Sequence, residues 1–175
     1  LAKSAEIVKL LLQHKADPDI RDSELQTVLF YPRKPEVHKL LLAAGANPNA
    51  RDKNQCTPIF FAANAAHAKL LLAAGAKLDA LDKDGATPLH YAVLEPNLDV
   101  AELLLKKGFK IDMEDSKGRT PLFYCRTGSA VKFLLQRGAE SKHRDKNGRT
   151  ALFFNDKNHA KLPAVKELVQ QGASV

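Results

Sequence analysis

This chain has only two cysteines and no long apolar run, and both shortages narrow what it can be. Cys56 and Cys125 form no C-x-x-C pair and have no histidines spaced to complete a zinc site, which sets aside a structural metal. In the repeat register given below they fall two units apart, roughly 20 Å if helices stack at about 8–10 Å. That is too far for a disulfide, so both read as small buried fillers. No segment approaches the roughly 18–20 consecutive apolar residues of a membrane span, which excludes a membrane-spanning helix and predicts no membrane partner.

Signatures of chemistry are also missing. There is no phosphate loop, dinucleotide fingerprint or nucleophile elbow. His14, His38, His67, His90, His143 and His159 are scattered without a carboxylate or cysteine partner at a repeated spacing, and each reads as a satisfied or surface histidine. The expectation is no enzyme, no metal and no cofactor. The sequence opens at Leu1 rather than at a methionine, so something upstream is expected to have been trimmed. The compartment stays open: cytoplasmic, or exported or periplasmic if a signal peptide preceded Leu1.

What is present is an ordinary composition for one sizeable domain, 45% apolar and 27% charged over 175 residues, with an uneven charge. Residues 1–116 carry 15 Lys/Arg against 16 Asp/Glu, whereas residues 117–166 carry 12 against 3. The basic character therefore belongs to the C-terminal third, either as a solvated face or as a docking surface for an acidic partner.

Self-similarity organises the rest. Helix ends recur as Leu10-Leu11-Leu12, Leu40-Leu41-Leu42, Leu70-Leu71-Leu72, Leu103-Leu104-Leu105, Phe133-Leu134-Leu135 and Glu167-Leu168-Val169. Each is followed by a break at Lys15, Gly45, Gly75, Gly108, Gly138 or Gly172, where glycine suits the left-handed conformation that ends a helix and Lys15 is the exception. Turns follow in step at Asp22, Asp52, Asp82, Asp115 and Asp145, whose regular recurrence points to a backbone role. The fourth turn residue is glycine in the last three but Leu25 and Gln55 in the first two, which predicts strain or a different turn there. Helix starts then recur at Thr27, Thr57, Thr87, Thr120 and Thr150, each threonine an expected N-cap, with proline next in three of them.

The unit D-x-x-G-x-T-P-L-H-x-A followed by L-L-L-x-x-G-A resembles the ankyrin repeat over essentially the whole chain. The resemblance implies an all-α solenoid of stacked helix-turn-helix units with β-hairpin fingers, and protein binding rather than catalysis. It divides a single domain, 1–175, into a partial repeat 1–21, repeats 22–51, 52–81, 82–114 and 115–144, and a capping repeat 145–175. Residues 2–14 read as a second helix without its first, a missing upstream half-repeat being the expected reason. Polar residues in Pro163–Gln171 suit a C-terminal cap.

Two departures from the pattern carry the functional reading. Turn spacings of 30, 30, 33 and 30 residues place a lost helical turn in all but the third internal unit. Pro32 and Pro35, and Arg126 to Ser129, make abrupt corners, while Glu95-Pro96-Asn97 and Asp156 to Pro163 make longer ones. A stepped inner face with a recessed fourth unit is expected. Second, the family histidine is mostly lost: the column reads Phe30, Phe60, His90, Phe123 and Phe153, and the next reads Tyr31, Phe61, Tyr91, Tyr124 and Phe154. The first column is expected in the core; the second is open between core and recognition. The resemblance also implies that His90 bonds its own helix start.

The leading expectation is a non-enzymatic module, a monomer by itself, that holds a folded protein partner through fingers and inner face. An inhibitor or self-protection protein that masks an enzyme active site is the concrete form. The contact residues would be Arg51, Lys53, Lys83, Lys117, Arg119, Lys146 and Arg149 at the finger tips, with Tyr91, Tyr124, Arg126 and Phe154 along the inner face. One alternative is nucleic-acid or acidic-ligand binding through Lys142, Arg144, Lys146 and Arg149, against which Asp115, Glu140 and Asp145 interrupt the patch. Another is a structural segment of a larger protein.

Overall fold

The computed structural model describes residues 3–31, 34–94, 98–156 and 162–170. It divides into two compact units, Leu1–Ala80 and Leu81–Val175. Among the described residues there is no strand, only one isolated antiparallel bridge between Arg144 and Thr150. The fingers are tight turns, and the architecture is all-α.

In the first unit, helix α1 (Lys3–Gln13) packs on α2 (Pro35–Ala43) and α2 on α3 (Ala65–Ala73). The opening halves of its two complete repeats are single 3-10 turns, Val28–Phe30 and Pro58–Phe61. In the second unit α4 (Pro88–Ala92), α6 (Pro121–Tyr124) and α8 (Ala151–Asp156) form the row of first helices, and α5 (Asp99–Lys106), α7 (Gly128–Leu135) and α9 (Leu162–Gln170) are the second helices. The connection from first to second helix is three or four residues in the 30-residue repeats, 31–34, 62–64 and 125–127, against six, 93–98, in the 33-residue repeat, and this is where the missing turn was taken out. Residues 95–97 and 157–161, in the predicted long corners, residues 32–33, in a predicted abrupt one, and Gly172 lie outside the described residues, and the taller neighbours expected of a stepped face lie there with them.

Five of the six repeated helix ends bury their middle residue. Leu41, Leu71, Leu104, Leu134 and Leu168 are at most 4% exposed, each burial worth about 1.5–3 kcal/mol, whereas Leu11 of α1 is 52% exposed beside exposed Ile7 and Leu10. The glycine after the triplet turns left-handed, with φ 90° at Gly45, and lets the next amide reach back: Ala46 N–H donates to Leu41 O at 3.0 Å. Lys15 makes the same turn at φ 61° despite its side chain.

The finger turns share one geometry. In every finger the aspartate Oδ1 accepts the amides two and four residues on, as Asp82 does from Asp84 and Ala86 at 2.9 and 2.8 Å. Leu25 and Gln55 do not force another turn; they occupy the glycine position at φ 62° and 63° and keep the bond to the aspartate carbonyl. Their turns are therefore strained, by about 1–2 kcal/mol for an L-residue in this region.

The expected threonine caps are mostly not made. The buried hydroxyls of Thr27, Thr57 and Thr120 have no hydrogen-bond partner among the described residues, although all three hold the extended backbone of an N-cap. The cause lies three residues on. Where that position is His90, its Nδ1 sits 2.9 Å from Thr87 Oγ1 and 3.0 Å from Thr87 N. The side chains of Phe30, Phe60 and Phe123 offer the hydroxyl no polar atom. Thr150 alone among the phenylalanine repeats accepts an amide, from Phe153 at 3.3 Å.

Candidate functional site

Turn aspartates anchor the candidate surface through their second oxygen. In the first, third and fourth fingers that oxygen accepts a tyrosine hydroxyl nine residues later: Tyr31 on Asp22 at 2.6 Å, Tyr91 on Asp82 at 2.9 Å and Tyr124 on Asp115 at 2.7 Å. Where the tyrosine is replaced, another donor serves, Gln26 Nε2 on Asp52 at 3.1 Å and Arg149 on Asp145. The second aromatic column is thus tied into the fold at its hydroxyls. Tyr31 is exposed, whereas Phe61, Tyr91 and Tyr124 are half-buried. The side chain of Phe154 lies outside the described ones.

Tyr124 makes further contacts through its ring. Its ring meets His90 edge-on at 4.9 Å and lies under the Arg119 guanidinium at 5.1 Å. Burial, then the Asp115 carboxylate, hold its phenol above the ordinary value, so it stays a donor. Burial pushes Asp115 up, but the bonds from Arg119 and Tyr124 outweigh it and leave its carboxyl below the usual range. Buried His90 is held below its ordinary value by desolvation, so it is neutral, with Nε2 donating to Arg119 O at 3.1 Å.

The predicted cations fall into two groups. Arg119 and Arg149 fold back onto Asp115 and Asp145 of their own turns, and Lys53 lies 3.4 Å from Glu24. Arg51 Nη1 reaches Gln55 O at 3.4 Å. Lys83, Lys117 and Arg126 are exposed, and no described carboxylate forms an ion pair with them. Lys146 is exposed too, with Nζ on Ser116 O at 2.7 Å, a contact that leaves its charge uncompensated.

Consecutive turns within a unit are joined through the backbone. Lys53 N–H donates to Glu24 O, Ser116 N–H to Asp84 O and Lys146 N–H to Lys117 O, at 2.8–3.0 Å. A second rung lies on the helix side, where Asp19, Asn49 and Asp112 accept the amides of Asn47, Lys77 and Glu140, each 28 residues on. The sequence reading missed this rung, although an Asp or Asn three residues before each of the first four turn aspartates was its visible signal.

One histidine reading is overturned. His67 is 4% exposed and neither ring nitrogen has a hydrogen-bond partner among the described residues. It stacks on buried His38, with centroids 4.1 Å apart and planes within 7°. Desolvation, with repulsion from His38 second, lowers it to about 4. His38 Nε2 reaches Tyr31 O at 3.1 Å and His143 Nε2 reaches Gly118 O at 2.9 Å, so each has one ring nitrogen bonded to a carbonyl. His14 is exposed, and His159 lies outside the described residues. Cys56 and Cys125 are both free and buried. No group of three or more His, Cys, Asp or Glu among the described residues could hold a metal ion. No described helix is long and apolar enough to cross a membrane.

Comparison with known proteins agrees with this geometry. The family described as ankyrin repeats in three copies matches residues 33–115, and the single ankyrin repeat matches 1–23 and 117–146. The chain is similar to the solved ankyrin repeat domain of Bcl-3, described as a unique member of the IkappaB protein family, at 33% identity and a TM-score of 0.73. The similarity covers 97% of this chain and 80% of that one. Among curated protein sequences, nothing matches. A repeat carried by paired helices, aspartate turns and left-handed glycines, and shared at this identity, places the chain in the ankyrin-repeat family.

Proposed function

We propose that this protein-interaction module binds a folded protein partner along the turn edge of its second unit and acts by occlusion or tethering. The observation that supports this best is the split among the cations: Arg119 and Arg149 are consumed by their own turns, while Lys83, Lys117, Lys146 and Arg126 present uncompensated charge beside half-buried tyrosines. Rim charge of this kind speeds encounter, and aromatic anchors slow release. The concrete version is an inhibitor or self-protection protein that masks an enzyme active site, with Arg51 and Lys53 of the first unit as further contacts. The chain itself carries out no reaction on this reading.

Affinity capture from the native organism, with the parent chain and Arg126→Glu side by side, tests it. The partner should be retained by the parent and released by the variant at unchanged melting temperature. Tyr124→Ala is unsuitable for this purpose, because the ring and hydroxyl are internal contacts. If the captured protein is an enzyme whose turnover is unaltered by saturating chain, inhibition is wrong and tethering stands.

A nucleic-acid reading draws on the excess of 12 Lys/Arg over 3 Asp/Glu in residues 117–166. It loses Arg149, one of its four named contacts, to Asp145. Oligonucleotide retention with a steep salt dependence would be needed to revive it.

A further inference from the structure

The last two fingers bring three uncompensated cations together beside an apolar recess. Lys146 N–H donates to Lys117 O at 3.0 Å, and the Lys146 side chain crosses to Ser116 O, so these two lysines share one surface. Arg144 stands at the base of the same finger, its Nη1 on Gly148 O at 2.6 Å, a bond to a carbonyl that leaves the positive charge in place. All three are exposed, and no described carboxylate forms an ion pair with any of them. By contrast Arg149, which lines the recess with Arg144, is neutralised by Asp145.

The recess adjoins this patch. It has a volume of about 230 Å³ and is lined by Arg144, Asn147, Gly148, Arg149, Thr150 and Phe153. That is smaller than the roughly 300–1,000 Å³ of sites that enclose a small-molecule ligand or cofactor. It suits a single apolar side chain laid on the Phe153 ring. A base needs an open aromatic platform, whereas this ring forms part of a recess wall and is only partly exposed.

We infer that this patch and recess bind an extended acidic peptide segment of a partner protein, whose carboxylates meet Lys117, Lys146 and Arg144 while one apolar side chain seats against Phe153. The inference rests on the reading of the chain as a recognition module but uses neither Tyr124 nor Arg126. Charge complementarity selects the acidic segment, and the recess selects its apolar residue. Neither feature alone would distinguish a peptide from any other polyanion.

The test is an amide chemical-shift titration of the chain with a short synthetic peptide of glutamates around one phenylalanine. The same titration is run with an all-glutamate peptide and with a single-stranded oligonucleotide of equal charge. Shifts confined to Lys117, Gly118 and the residues from Arg144 to Phe153 are expected with the first peptide. Its binding should weaken at least about fivefold for Lys117→Glu with Lys146→Glu, at unchanged melting temperature, and also for the all-glutamate peptide. Equal binding of the two peptides removes the recess, and tighter binding of the oligonucleotide at the same amides replaces the peptide with nucleic acid. No shifts with any probe overturns the inference, while capture of a folded partner released by Arg126→Glu would still uphold the broader proposal.

Discussion

Thr87 Oγ1 lies 2.9 Å from Nδ1 of His90, while the hydroxyls of Thr27, Thr57 and Thr120, three residues before a phenylalanine, lie buried with no hydrogen-bond partner among the described residues. An orphaned buried hydroxyl costs about 1–3 kcal/mol, and a satisfied one contributes about 1 kcal/mol. Opposite outcomes for one substitution follow. Thr120→Val should leave stability unchanged or raise it by about 1 kcal/mol, and Thr87→Val should lower it by about 1–2 kcal/mol. Denaturant melts of the two variants decide the point, and a loss at Thr120 as large as at Thr87 contradicts it.

The stacked pair His38 and His67 makes the first unit sensitive to acid. The folded-state value of His67 is lowered from 6.5 to about 4, so between these values the unfolded chain binds the proton and the native chain does not. Stability is intact above about pH 6.5 and is lost as pH falls toward 4, at up to about 1.4 kcal/mol per unit. Denaturant melts at pH 7, 6 and 5 should show this slope in the parent and a flatter one in His67→Leu. Asp22, Asp115 and Asp145, whose carboxyls are held below the usual range, act on the acid side of that window.

Strain at Leu25 and Gln55 is removable. Leu25→Gly and Gln55→Gly should each stabilise by about 0.5–1 kcal/mol, the left-handed penalty relieved less the entropy of the added glycine. Gly118→Ala should do the reverse, since at φ 72° its Cβ would meet Lys146 N and Cγ at 3.1 Å. A thermal-shift series places the three variants in order, and destabilisation by either glycine counts against strain.

The tyrosine ties differ in redundancy. Asp115 keeps Arg119 when Tyr124 is replaced, whereas Asp82 has only Tyr91 among the hydrogen bonds described for its outer oxygen. Tyr91→Phe should therefore cost about 1.5–3 kcal/mol, the range for a bond to a charged group, and Tyr124→Phe clearly less. Equal losses would show that Arg119 does not compensate.

Much of this was legible in the residues. Leucine triplets announced the buried helix faces, and glycines the left-handed ends, because both depend on chemistry local to one repeat. Pairings between columns were harder to see. The side-chain partner of Thr87 is the residue three positions on, His90, and the phenylalanines of that column were read for burial alone. Asp22 and Tyr31, Asp82 and Tyr91, and Asp115 and Tyr124 share a spacing of nine that was present in the sequence, yet the tyrosines were weighed only as core or contact. His38 and His67 are 29 residues apart, one short of their 30-residue repeat period, so no alignment of columns brings them together.

A single backbone amide joins the first turn to the second, the third to the fourth and the fourth to the fifth, at Lys53, Ser116 and Lys146. Those three protons can exchange with heavy water only while the bond between two turns is open. Their exchange rates therefore measure, joint by joint, how often the stack breathes, and a partner that bridges two fingers would slow the proton between them before any other.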